Sequence, residues 1–250
     1  MTAQLDLNTR ISAILAGLAA ADTRADAEHG EFRLRQDERG HVIGDFYKCR
    51  LGSVFQPVFS ATGRRVMGHE ARVRCEGWGD EAVSPWGIFS RMASDSALVR
   101  LDRLCRTLHM LNYFGRARSG DLKLFVRVEP RLLTSVKQDH GKVFGEALGH
   151  CGVATSRVVI EIPVEAVGDR DLLQHAVTNY RARGYGIAAN YPARSDAGTF
   201  DEVKPDFLKI EIKRLNADQA LAQIISRTHA WGGRVIASKI ETARDLVVAT

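Results

Sequence analysis

The residues of this chain best suited to metal or redox chemistry are four cysteines, Cys49, Cys75, Cys105 and Cys151, and eight histidines. Their spacing argues against both chemistries. A zinc site or a thiol–disulfide centre usually draws ligands from close pairs, because one turn must aim both atoms at one point. No two cysteines form a C-x-x-C pair, and no two histidines an H-x-x-x-H pair. The thiols therefore read as reduced, cytosolic cysteines. The net charge of +5 favours anionic partners: a nucleotide, a nucleic acid or an acidic protein face. The basic residues form no single run, so a solvated surface is the plainer reading, and a nucleic-acid interface is not expected.

The elements that would position any site come next. A length of 250 residues suits one barrel-sized domain with an extension, and 45% hydrophobic residues exclude disorder along the whole chain. No apolar run reaches the roughly 18 to 20 residues of a membrane span. No basic segment leads into an apolar core and a cleavage site, so no secretory signal is read. A cytoplasmic protein without a membrane segment is expected.

Leu7, Ile11, Ile14, Leu15 and Leu18 recur at helical spacing and predict an amphipathic helix over Leu7–Ala20, capped by Asp6 or Asn8. Its stripe is expected to cover the barrel as a lid or to face another chain. A polar stretch, Asp22–Gly30, leads to a hairpin of Glu31–Gln36 and His41–Lys48, turning at Asp37–Gly40. A second hairpin runs from Ser53 to Cys75 and turns at Ala61-Thr62-Gly63. Helical and extended patterns then alternate. A helix pair is read in Ile88–Phe114, and single helices in Val143–His150, Asp171–Arg183 and Ala217–Trp231. Strands are read at Lys123–Val128, Val158–Ile162, Gly186–Ala189, Phe207–Ile210 and Arg234–Ala237. Such alternation implies parallel strands with helices outside, in a barrel or an open sheet.

Several segments resemble, in order, the EAL family of cyclic-di-GMP phosphodiesterases. Phe55-Gln56-Pro57-Val58, the Thr62-Gly63 turn and Gly68-His69-Glu70-Ala71-Arg72-Val73-Arg74 resemble its signature, a Q-P-I/V strand, a T-G turn and G-Y-E-A-L-x-R. Leu101-Asp102-Arg103 matches L-D-R, and Val126-Arg127-Val128-Glu129-Pro130 sits where V-N-L-S-P is expected. Val159-Ile160-Glu161-Ile162 resembles L-x-E-I-T-E, and Gly186 to Tyr191 takes the place of I-A-L-D-D-F-G. Pro205-Asp206-Phe207-Leu208-Lys209-Ile210 is similar to D-Y-L-K-I-D, and Ile236 to Thr242 to V-A-E-G-V-E-T. The resemblance covers roughly residues 50 to 250. It implies a modified (β/α)8 TIM-like barrel with an antiparallel first strand, apparently lacking the last strand and its Q-G-Y-x-F segment. The implied division is an extension over 1–50 and a degenerate EAL barrel over 51–250.

That family hydrolyses a phosphodiester with divalent cations held by oxygen ligands. By resemblance, Glu70 and Glu161 are retained metal ligands, and Lys209 is the lysine that orients the attacking water. The remaining positions depart from the pattern. Arg127 stands for an asparagine, Asn190 and Tyr191 for the paired aspartates, Ser238 for a glutamate and Lys239 for a glycine. The acid expected after Glu161 is displaced, with Val164 in its place and Glu165 one residue on. Ala193-Arg194-Ser195 replaces a flexible G-T-G. The expectation is a catalytically inactive domain with no metal or other cofactor, in which the Arg127 guanidinium either bridges Glu70 and Glu161 in the metal's stead or points to solvent, the bridge being the reading preferred. Gln56 and Arg74 match the family's contacts to the nucleotide's base and phosphate, although Arg72 replaces a leucine beside them. The expected role is bacterial regulation through an unidentified protein partner, with a homodimer left open. A cyclic-di-GMP receptor that does not hydrolyse is the alternative, and a weak phosphodiesterase is third.

Overall fold

The structure, a computed structural model, describes residues 9, 13–14, 33–46, 49–63, 65–77, 94–115, 121–135, 141–192, 197–214, 218–243 and 245. Nine strands join in chain order into one sheet. They are β1 (Arg33–Gln36), β2 (Val42–Phe46), β3 (Cys49–Phe59), β4 (Val66–Gly77), β5 (Lys123–Arg127), β6 (Val158–Ile162), β7 (Gly186–Asn190), β8 (Phe207–Glu211) and β9 (Arg234–Ser238). Neighbours from β1 to β4 are antiparallel. Neighbours from β4 to β9 are parallel. The fold is the mixed α/β, barrel-like one that the resemblance implies, with β3 antiparallel to β4. The first hairpin continues the sheet across residue 50, through pairs such as Gly44 with Leu51. Among the described residues β9 does not pair with β3 or β1, so the sheet is not closed.

The helices are α1 (Asp95–Phe114), α2 (Pro130–Ser135), α3 (Lys142–His150), α4 (Val164–Val167), α5 (Arg170–Ala182) and α6 (Asp218–Ala230); α1, α3, α5 and α6 fall where helices are expected, and the short α2 and α4 are additional. Asp169 caps α5 by accepting the Leu172 N–H, and Ser94 caps α1 by accepting the Ala97 N–H. Every residue of β6 is buried, because helices cover its outer face and the curled sheet its inner one. The outer layer holds the main core, including Leu101, Leu104 and Leu108 of α1 with Leu173, Val177 and Tyr180 of α5. A smaller inner core gathers Phe125, Val159 and Ala188 against Val58, Phe207 and Ile236. The rings of Phe125 on β5 and Phe207 on β8 meet edge to face at 5.1 Å, which only a strongly curled sheet allows.

The β3–β4 ribbon extends well past the end of β5, whose pairing with β4 stops at Glu70. Alternation divides its two faces. Leu51, Phe55, Ala71, Val73 and Cys75 turn to the main core. There Ser53 Oγ lies 2.7 Å from His109 Nδ1, and burial holds the imidazole pKa down to about 4. All four cysteines are free. Cys75 and Cys105 are buried, and burial pushes the Cys75 thiol up to about 12. Within α1, Asp102 and Arg106 form a buried ion pair at 2.5 Å.

Of the Leu7–Ala20 helix, Thr9, Ala13 and Ile14 are described. They are helical, and Ile14 is buried in the main core. Leu7, Ile11, Leu15 and Leu18, the stretch 22–30, residues 88–93 of the Ile88–Phe114 helix pair and residues 193–195 lie outside the described residues.

Candidate functional site

Parallel barrels deliver their chemistry at the C-terminal ends of the strands, where neighbouring strands aim side chains into one mouth. Glu70, Arg127, Glu161, Asn190 and Lys209 all reach that level. Arg127 is in register with Glu161, and Asn190 with Lys209. Gly68 prepares the position of Glu70. A Cβ there would lie 2.5 Å from the Lys123 carbonyl oxygen, so only glycine lets β4 approach β5 at that point.

Lys209 stands between the two glutamates. Its Nζ donates to Glu70 Oε2 at 2.9 Å and to Glu161 Oε2 at 2.8 Å. Asn190 Nδ2 donates to Glu161 Oε1 at 3.0 Å and to the Ile162 carbonyl at 3.2 Å. Arg72 Nη2 pairs with Glu70 Oε1 at 2.7 Å. Each oxygen of the two retained glutamates therefore has its own N–H donor. Glu161 and Lys209 are buried and Glu70 nearly so, so these charges are sheltered from water. In such a setting full pairing keeps buried charge from becoming a liability.

The expected Arg127 bridge is not formed. The Arg127 side chain is 54% exposed and its Nη2 lies 3.5 Å from Glu165 Oε2, in the first turn of α4. Two features explain the difference. Arg127 closes β5, where its long side chain finds water and the nearby Glu165 carboxylate. The ammonium of Lys209 already fills the space between Glu70 and Glu161. Ser238 turns away too, donating to the Ile210 carbonyl at 3.0 Å. Tyr191 packs beside Phe200, ring centroids 6.0 Å apart, and its N–H donates to the Lys209 carbonyl. Lys239 has φ 57, a left-handed conformation that favours glycine, and its Nζ pairs with Glu211 at 3.0 Å.

Gln56 and Arg74 lie on the ribbon face opposite the main core, and both are exposed. Gln56 is directly opposite Glu70 in register. Arg74 is 68% exposed and its Nε is 3.4 Å from Glu76 Oε1. Sequence reasoning treated Arg72 only as a departure from the motif. Its position two residues after Glu70 was the available signal, since alternation places both on one strand face. Asn190 was read as a lost ligand, while its amide is a donor that a carboxylate could not be. Behind the mouth, Asp102 Oδ1 accepts the Glu129 N–H at 2.9 Å, and burial with Asp102 nearby raises the Glu129 carboxyl above its usual range.

The family implies divalent cations, and these residues do not fit them. Hard cations of this kind require several oxygen ligands with free lone pairs. Here the glutamate oxygens face ammonium, guanidinium and amide donors, and among the described residues no three His, Cys, Asp or Glu side chains converge.

A curled sheet of parallel strands, with a polar cluster at the strand ends and helices outside, defines a TIM-like α/β barrel protein. The chain belongs to the EAL domain family, whose model matches residues 44–250. Among solved structures it is similar to the Bacillus subtilis YkuI protein, with an EAL domain, in complex with c-di-GMP and calcium. That match has 24% identity and a TM-score of 0.65, covering 79% of this chain and 51% of YkuI. It is also similar to Klebsiella pneumoniae BlrP1 in a calcium and cyclic-di-GMP complex, at 18% identity and a TM-score of 0.68, covering 98% of this chain and 62% of BlrP1. The chain thus spans about half to two thirds of these relatives, and the likeness speaks to the fold. A comparison with curated proteins gives no match. Among the described residues no helix is long and apolar enough to cross a membrane.

Proposed function

We propose that this chain is an EAL domain without phosphodiesterase activity, acting as a cytoplasmic regulator through contact with another protein. The observation that carries this reading is the state of the two retained glutamates, whose oxygens are all engaged by Lys209, Asn190 and Arg72. Hydrolysis by the family's route needs those oxygens for cations that generate hydroxide and neutralise charge on the phosphate. Lys209 belongs to the family's own pattern, so what deprives the cations of a shell is the loss of oxygen ligands at Asn190, Tyr191 and Ser238. Binding a partner requires only the fold and its surface.

The test is a hydrolysis assay with cyclic di-GMP and excess Mn²⁺, run beside thermal unfolding. The expected outcome is no turnover and no rise in melting temperature with millimolar Mn²⁺ or Mg²⁺. A rise that chelation reverses and Glu70→Ala abolishes, with measurable turnover, overturns the reading.

The exposed Gln56 and Arg74 on one ribbon face support a second reading, a receptor that binds cyclic di-GMP without cleaving it. Calorimetric titration decides between the two. If the nucleotide binds there, Arg74→Ala weakens it by about 1.5 to 3 kcal/mol through loss of a charge-assisted phosphate contact. An unchanged dissociation constant places the ligand elsewhere.

A further inference from the structure

From the structure we infer that the foot of the curled sheet, where its parallel strands begin, is the protein-docking surface, and that it takes an acidic helix of a partner protein. This rests on the reading of the chain as a protein-binding regulator.

A cation stands at or shortly before the start of every parallel strand: Arg65 before β4, Lys123 on β5, Arg157 before β6, Arg183 before β7, Lys204 before β8 and Arg234 on β9. The two ends of the sheet treat charge differently. At the mouth Arg72, Arg127, Lys209, Lys213 and Lys239 each pair with a carboxylate. At the foot Lys123 Nζ instead donates to the Ser156 carbonyl at 2.8 Å, a partner that orients the cation without cancelling its charge. Arg65, Lys204 and Arg234 are exposed, and among the described residues none of the three pairs with a carboxylate. The nearby acids are engaged elsewhere. Asp201 pairs with Arg227, and Asp206 accepts the Ile187 N–H and lies 3.9 Å from Arg181. Helix C-termini return to this end and attract cations in their last turns, as with Arg181 of α5. Arg65, Lys204 and Arg234 lie beyond any such turn.

The backbone that carries these cations is braced. Four successive carbonyls in the turn into β8 are taken. Arg181 Nη1 donates to that of Val203 at 2.6 Å and its Nη2 to that of Lys204. Trp231 Nε1 donates to that of Pro205 at 3.1 Å, and the Arg234 N–H to that of Asp206 at 2.9 Å. The turn holds Lys204 at φ 45, a left-handed conformation uncommon outside glycine. Lys204 and Arg234 are thus presented side by side on a backbone that needs no ordering on binding. Phe59, 54% exposed, closes β3 at this same end, because Val58 pairs with Gly68 of β4, which is level with Lys123. It offers an apolar anchor. Neighbouring strands lie about 4.8 Å apart and acids one helical turn apart about 5.4 Å, so one helix face can meet cations from adjacent strands. Asp121 and Glu202 stand exposed among the cations. A nucleic acid or lipid surface, anionic at every unit, meets them with like charge, whereas a helix can keep its acids in one stripe.

The probe is a fluorescein-labelled synthetic peptide, Glu-Ala-Ala-Leu-Glu-Ala-Ala-Glu-Leu-Ala-Ala-Glu-Ala-Ala-Leu, added to the whole 250-residue chain. Saturable anisotropy is expected, weakening as salt is raised and lost when every glutamate of the peptide is replaced by glutamine. Lys204→Gly combined with Arg234→Gln removes two charges from the foot, and glycine accepts the left-handed φ, so folding is retained. This variant is expected to weaken binding about tenfold or more without lowering the melting temperature. Lys239→Gly combined with Arg127→Gln removes two charges from the mouth in the same way and is expected to change binding by less than about twofold. Absent binding, equal binding of the glutamine peptide, indifference to the foot variant, or an equal effect of the mouth variant overturns the proposal. So does tighter binding of single-stranded oligothymidylate or of phosphatidylserine vesicles than of the peptide. Failure of the functional reading appears separately, as Mn²⁺-dependent hydrolysis, whatever the peptide does.

Discussion

Inside the mouth, Lys209 joins Glu70 on β4 to Glu161 on β6, and Asn190 and Arg72 complete the set. In the outer layer, Asp102 and Arg106 face each other one turn apart on α1, with the Arg106 guanidinium 5.3 Å from the Phe144 ring centroid. Both clusters bury charge, but they differ in redundancy. The inner one spreads each carboxylate over two donors drawn from separate strands. In the outer one each charge has a single charged partner, although Asp102 also accepts the Glu129 N–H and Arg106 is hydrogen-bonded with Tyr180. Burial alone therefore does not say how much a charged group matters; the number of remaining partners after its loss does.

The largest expected effect lies in the outer cluster. Asp102→Ala leaves a buried guanidinium without its carboxylate and also removes the acceptor of the Glu129 N–H. The expected loss is about 3 to 5 kcal/mol in urea unfolding. A loss below about 1 kcal/mol would place Asp102 with ordinary surface acids.

Lys209→Met comes next, at about 3 kcal/mol, because Glu161 keeps its charge and its Asn190 bond but loses the ammonium. Adding Glu161→Gln is expected to recover more than half of that loss, as a double-mutant cycle would show. No recovery would mean that Lys209 supports the fold by packing alone.

A third expectation concerns pH. His109 is buried neutral with its pKa held near 4, while an unfolded histidine titrates near 6.5. Between those values the unfolded chain binds the extra proton, so stability falls as pH drops from 6.5 toward 4. The total is about 3 kcal/mol, with no further loss from this group below the folded pKa. His109→Asn should flatten that part of the stability profile. An unaltered slope would assign the acid sensitivity to other groups.

The smallest effect is expected at Arg127. Its pair with Glu165 is long and exposed on both sides, so Arg127→Ala should shift stability by less than about 0.5 kcal/mol. A larger loss would bring Arg127 back toward the glutamates.

These comparisons also show what the sequence carried. Strand and helix positions were legible because each parallel strand is a short apolar run between turn residues. Val158–Ile162 was read without error, and β5, β7, β8 and β9 within one or two residues. The membership of Glu70, Glu161 and Lys209 in one site followed from motif order. The pairing among them did not. It depends on which side chain crosses the barrel, and the sheet's curl, not sequence distance, brings Lys209 to Glu70 across 139 residues. Arg127 had the right charge and strand level, but it sits at the rim with a closer acid. The Ile88–Phe114 region was read as two helices, and its described part is one helix of 20 residues. The resemblance implied a barrel lacking its last strand, and among the described residues the sheet is not closed.

The buried thiols turn this molecule into its own gauge of breathing. A thiol reacts as its thiolate, and at neutral pH Cys75, with a pKa near 12, offers almost none while the ribbon stays closed on α1. Cys105 is likewise pushed well up by burial, with the Asp102 charge adding to it. Alkylation at either cysteine must therefore wait for α1 to lift from β3 and β4, and its rate under native conditions reports the free energy of that opening. Half-buried Cys49 supplies the internal reference. A partner that stiffens the ribbon would lengthen the half-life of Cys75 labelling without touching the thiol.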